Sequence, residues 1–130
     1  MTAPVITALY GALNAILNIV LANRVSTMRK KHKVSIGDGD APELQLAART
    51  HGNNAEFVPL AIVMMLLAEL LGGNSAVLHT AGGLLLAARV LHAVGMPRKS
   101  PNVFRFLGVA LTWAVIVGIS GWVLYLRTVV

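Results

Sequence analysis

Phe106-Leu-Gly-Val-Ala-Leu-Thr-Trp-Ala-Val-Ile-Val-Gly-Ile-Ser-Gly-Trp-Val-Leu-Tyr-Leu126 runs for 21 residues without a charged side chain. An α-helix needs about 20 apolar residues to cross a bilayer, so the segment predicts a transmembrane helix over 104–126. The remainder of the chain has the same character. Of its 130 residues 56% are hydrophobic and 12% charged, with a mean hydropathy of +0.72. A water-soluble domain is about 25% charged, and a chain this poor in charge cannot cover its own surface with polar groups. The composition predicts an integral membrane protein and excludes a large catalytic domain in water. There is no cysteine, which excludes a disulfide scaffold, a thiolate metal site and a protein-borne thiol nucleophile; any thiol chemistry must use a ligand's sulfur.

Three further spans precede this one. No charged side chain occurs before Arg24, and a first span is read over 5–23; lacking the basic start of a secretory signal, it is expected to be retained as a helix. Residues 24–40 read as a basic loop turning acidic at Gly37-Asp38-Gly39-Asp40, with Asp40, Pro42 and Glu43 as the start of a second helix. That helix, read over 43–71 up to Gly72-Gly73, measures roughly 43 Å at 1.5 Å per residue. It exceeds the roughly 30 Å hydrocarbon core, so its first turns should protrude. A polar turn at 72–75 leads to a third span over 76–94, ended by Gly95, Met96 and Pro97. The expected fold is all-α, an up-down four-helix membrane bundle in one domain.

The formal charge of +6 comes from clusters, Arg24, Arg29, Lys30, Lys31 and Lys33 in one connection and Arg98 and Lys99 in another. No aromatic residues are interleaved for base stacking, so no nucleic acid is expected as a partner. Four crossings put both basic connections on one side and the uncharged 72–75 turn on the other, which predicts cytoplasmic basic loops and both termini outside.

A charged group at bilayer depth costs about 2.5–3.5 kcal/mol on insertion scales and marks a site or pathway. Arg49, Asn53 and Glu56 fall at i, i+4 and i+7, on one face of the second helix. Arg89 and His92 fall at i and i+3 near the end of the third, and Arg105 at the start of the fourth. Topology brings all six toward one boundary. They can serve as interhelical glue, with Glu56 neutralising Arg49 or Arg89. They also leave three arginines against one carboxylate, which suits a small anionic ligand bound by bidentate contacts. Pro59 removes a backbone donor beside them, as a plain kink or as a local widening. Glu69 and His79 flank the opposite turn and are read as a structural pair. Asn14 and Asn18 are read as interhelical hydrogen bonds, and Gly82, Gly83, Gly118 and Gly121 as close-packing positions. The four histidines lack metal-site spacing, so no metal is expected, and Asp38 and Asp40 lack the remaining ligands of a calcium loop.

The segment Arg49-Thr-His-Gly-Asn53-Asn-Ala-Glu56-Phe57-Val-Pro59 resembles the signature of the MAPEG family, the membrane-associated proteins of eicosanoid and glutathione metabolism. There a pattern R-x-x-x-N-x-x-E, followed by an aromatic residue and a proline, contributes to a glutathione site. Arg89-Val-Leu-His92, with Arg105 sixteen residues after Arg89, is similar to the prostaglandin E synthase members, and Val34 through Glu56 looks most like the bacterial inner-membrane branch. The chain departs from the pattern at Gln45 and Leu46, where a Glu-Arg pair is usual, and at Phe57 and Met96, where tyrosine is frequent. The resemblance implies a homotrimer with glutathione bound between neighbouring subunits. It also implies that Arg49, Asn53, Glu56, Arg89 and His92 contact the tripeptide and that Arg105 stabilises its thiolate.

Two activities fit this reading, a glutathione-dependent transferase or peroxidase acting on a lipophilic substrate, and a noncatalytic glutathione or lipid binder of the same fold. A small multidrug exporter fits less well, because such exporters carry a carboxylate in the first membrane helix and this first span has none.

Overall fold

The computed structural model describes residues 3–129 and contains four helices, α1 (Val5–His32), α2 (Pro42–Leu70), α3 (Ser75–Gly95) and α4 (Val103–Val129). No strand occurs among the described residues. Each helix is long and apolar enough to cross a membrane, and the fold is the expected all-α four-helix membrane bundle.

α1 outruns its expected span, 5–23, because Arg24–His32 is helical rather than loop. Lysine and arginine are good helix formers, and Arg29, Lys30, Lys31 and His32 in the last turn complement the negative end of the helix dipole. The helix stops at Lys33, which takes the left-handed conformation at φ 57°. Its N–H donates to the Lys30 carbonyl and that of Val34 to the Arg29 carbonyl, the Schellman pattern that satisfies the last free carbonyls. α2 ends in the same way at Gly72 (φ 77°), with the N–H of Gly72 donating to Glu69 O and that of Gly73 to Ala68 O.

Helix starts are set differently. Pro42 occupies the first turn of α2 as expected, but the cap residue is Ala41, and Asp40 makes no capping bond. The Asp40 amide donates to Asp38 Oδ1, and Glu43 turns outward to accept from Lys31 Nζ at 2.6 Å and pair with His32. α3 starts conventionally, Asn74 Oδ1 accepting from the amides of Ala76 and Val77.

α1 has no cap of its own. Glu69 supplies one from the end of α2, Oε1 accepting from the Ile6 amide at 2.9 Å and Oε2 from the Thr7 amide at 2.7 Å. A buried carboxylate there faces the positive end of the α1 dipole. Glu69 and His79, read from the sequence as a structural pair, share no hydrogen bond; His79 Nδ1 meets Tyr10 Oη at 3.2 Å.

α2 and α3 each touch all other helices, whereas α1 and α4 do not meet among the described residues. The apolar core, with Ile6, Ala61, Met65, Leu78, Leu85, Val115 and Ile119, lies toward the end with the 72–75 turn. Gly82 admits the Tyr10 ring; a Cβ there would fall within 2.2 Å of it. Gly118 and Gly121 face open space, with nothing within 4 Å, so the close approach read from the sequence is not made within the chain. Large apolar side chains such as Ile16, Leu60, Phe106, Trp113 and Val117 point outward. In water such faces aggregate; against hydrocarbon they are solvated.

Candidate functional site

The other half of the bundle is polar, and its centre is Arg89. The side chain is 1% exposed, and all three of its nitrogens donate. Nε reaches Asn54 Oδ1 at 3.0 Å, Nη1 reaches Thr112 Oγ1 at 3.3 Å, and Nη2 reaches Asn53 Oδ1 at 2.8 Å and His92 Nδ1 at 3.2 Å. The network extends to α1, where Asn18 Oδ1 accepts from Asn54 Nδ2 at 3.1 Å. No carboxylate pairs with Arg89 among the described residues. A buried guanidinium served only by neutral oxygens and an imidazole keeps its positive charge uncompensated within the bundle.

Two glycines bring α4 against this centre. A Cβ on Gly108 would lie 2.6 Å from the His92 amide nitrogen, and one on Gly95 would lie 2.4 Å from that of Arg105. Asn102 ties the corner, Oδ1 accepting from the Arg105 amide at 2.9 Å and Nδ2 donating to Gly95 O at 3.1 Å. Arg105 is thereby set at the first turn of α4, beside the last turn of α3.

Arg49, Asn53, His92 and Arg105 line one cavity of about 300 Å³, together with Pro42, Gln45, Leu46 and Met96. Three helices contribute. Arg89 lies behind the wall, in contact with Asn53 and His92. Glu56 stands outside the cavity, its Oε1 at 3.8 Å from Arg49 Nη1, and does not reach Arg89. A neighbouring cavity of about 600 Å³, lined by Arg29, Gly37, Asp38, Gln45, Ala48 and Arg49, shares Gln45 and Arg49 with the first. Arg29 fixes the connecting loop around it by donating to Ser35 O and Gly37 O.

Pro59 lies away from this cluster, in an apolar groove between α1 and α2 that also contains Asn14, Asn18 and Ala55. Of the two α1 asparagines, Asn18 makes the expected interhelical bond. Asn14 does not: its Nδ2 donates to Tyr10 O in its own helix, and its Oδ1 is buried without a partner.

Sequence reasoning missed Asn54 and Thr112, both fully buried against Arg89. The Asn53-Asn54 doublet was a signal, since two carboxamides in an apolar helix need partners. Thr112 gave none, because a threonine inside a helix also satisfies itself through the preceding turn, as it does here on Gly108 O. It missed Pro42 on the cavity wall as well, and it read Gln45 and Leu46 as departures from a pattern and Met96 as a departure and a helix end, none of them as cavity lining.

Residues 7–125 match the model of the MAPEG family. Two curated relatives, both named inner membrane protein YecN, come from Escherichia coli strain K12 and from Escherichia coli O6:H1 strain CFT073. Each is 38% identical over 110 residues, covering 83% of this chain and 82% of the relative. Four apolar helices, a signature segment whose Arg49 and Asn53 line one cavity, and similarity over most of both chains lead to one conclusion: the chain belongs to the MAPEG family.

Proposed function

We propose that this protein is a glutathione-dependent transferase or peroxidase of the inner membrane, acting on lipophilic electrophiles or hydroperoxides. The observation that carries the reading is the cavity on which Arg49, Asn53, His92 and Arg105 converge, with the buried charge of Arg89 behind it. Glutathione has two carboxylates, one ammonium and a thiol. Its carboxylates suit Arg49 and the adjoining Arg29 cavity, and its ammonium suits Glu56 on the flank.

Arg105 faces the sulfur. A guanidinium near a thiol favours the anion, and the positive end of the α4 dipole adds to it. The thiol proton passes to water. In conjugation the thiolate lone pair forms the sulfur–carbon bond while the leaving group departs with its bonding electrons. In peroxide reduction two glutathione molecules become the disulfide, and the hydroperoxide becomes alcohol and water. One substrate arrives from water and the other from lipid, so the site gains by holding both in reacting geometry. The basic connections lie at the cavity's end of the bundle, which supports a mouth open to the cytoplasm and both termini on the other side. Exposed apolar faces and the open Gly118–Gly121 surface fit a homotrimer.

The test is purified protein in lipid, assayed for glutathione-induced thermal stabilisation and for conjugation of a chlorinated nitrobenzene. Both effects are expected. Stabilisation without turnover of either a nitrobenzene or a hydroperoxide assigns the noncatalytic binder, and no stabilisation at saturating glutathione overturns the reading.

A further inference from the structure

Arginine has donors and no acceptor. Each group that meets the buried Arg89 guanidinium must therefore present a lone pair to it and direct its own hydrogens elsewhere. Thr112 donates to Gly108 O and Asn54 donates to Asn18 Oδ1, so both are doubly fixed. The remaining two partners are Asn53 and His92. Asn53 Oδ1 is held by Nη2, which leaves the Nδ2 hydrogens free. His92 Nδ1 is held by the same nitrogen and must be the unprotonated ring atom, which places the ring proton on Nε2. Neither Asn53 Nδ2 nor His92 Nε2 has a protein acceptor among the described residues, and both residues line the cavity.

We infer that Arg89 is a positioning residue that turns Asn53 and His92 donor-side out, so that these two side chains, with Arg49 and Arg105, present hydrogen-bond donors to the ligand, while Gln45 on the same cavity can offer either end of its amide. The four together favour an anionic sulfur or carboxylate, and His92 acts as a donor to it. His92 does not act as the base that removes the thiol proton, since Nδ1 is occupied by Arg89 and Nε2 already carries hydrogen. Arg89 does this without touching the ligand. The assignment rests on the proposed glutathione site for the ligand's identity, but the ring state exists before any ligand binds.

The ring state is read by NMR of the full chain in nanodiscs with ¹⁵N-labelled histidine, without ligand, at neutral pH. The expected spectrum has a pyridine-like Nδ1 and a pyrrole-like Nε2 for His92. A proton on Nδ1, or a charged ring, overturns the inference whether or not glutathione binds. Affinity for glutathione sulfonate, whose fixed negative charge stands in for the thiolate, then separates two variants. His92→Phe is expected to bind about tenfold more weakly than His92→Gln, because only glutamine can both accept from Arg89 and donate into the cavity; the difference corresponds to one hydrogen bond to a charged group. Equal affinities overturn the inference. Failure of the wild-type protein to bind glutathione or the sulfonate overturns the proposed function instead, and the spectrum still decides the orientation of His92.

Discussion

Asn54 shows what a single residue contributes to this structure. Successive helical positions are about 100° apart, so Asn53 and Asn54 straddle a boundary: one reaches the cavity, while the other faces the interior, where it accepts from Arg89 and donates to Asn18. Asn54→Leu leaves a buried guanidinium N–H and the half-buried Asn18 carbonyl without partners, and it should cost about 1–3 kcal/mol, read as a lowered thermal midpoint in lipid. Arg105 is the opposite case. It is exposed, so Arg105→Ala should leave stability within about 0.5 kcal/mol. It should also reduce glutathione conjugation roughly 10²-fold, as expected for loss of a group that stabilises developing charge; undiminished turnover in the variant would remove Arg105 from the proposed chemistry. The i, i+4, i+7 spacing disclosed a shared helix face for Arg49, Asn53 and Glu56. Spacing on one helix carries no information about partners on others, and so it did not reveal that Arg89 is enclosed while Glu56 stays on the flank.

The helices differ in how openly their sequences state their limits. α4 was legible because nothing charged interrupts it, and α3 because the polar 72–75 turn and Gly95-Met96-Pro97 punctuate both ends. The end of α1 was hidden, since charge was equated with loop, whereas water outside a bilayer solvates a basic helix without cost and only the Lys33 backbone turn stops it. Packing between elements is equally specific. Gly82 and Gly83 are adjacent, yet a methyl group at the first collides with the Tyr10 ring and at the second meets only Tyr10 Oη at 4.0 Å. Gly82→Ala should therefore destabilise the bundle by about 1–3 kcal/mol. Gly83→Ala should be neutral or stabilising by up to about 1 kcal/mol. Paired thermal melts check the contrast, and similar melting of the two variants would show that the α1–α3 contact is looser than described. Glu69→Ala should cost about 1 kcal/mol or more through the lost cap and should speed hydrogen exchange at the Ile6 and Thr7 amides while leaving Ala76 and Val77 protected by Asn74.

Across the whole molecule the bundle divides in two, with an apolar core toward the 72–75 turn and a polar network with its cavities toward the basic connections. The arrangement follows from an up-down topology in which the polar clusters, N-terminal in α2 and α4 and C-terminal in α3, fall at the same end of the bundle, which is why span order alone foretold that Arg49, Asn53, His92 and Arg105 would converge. It could not foretell the separation of α1 from α4, nor the outward-facing Gly118 and Gly121, because both depend on how the helices rotate against one another. If that open surface is filled by neighbouring copies, native mass spectrometry from mild detergent should release three subunits together; monomers under conditions that preserve glutathione binding would restrict the site to a single chain. The cap donated by Glu69 also bears on biosynthesis. Translation delivers the first hydrophobic segment to the insertion machinery long before the glutamate that completes its opening turn has been made. Until the second segment folds back along the first, those two amides have only water or headgroups for partners, so the carboxylate favours the pair settling in the lipid as a hairpin, the earlier segment finished by one of the last residues of the next.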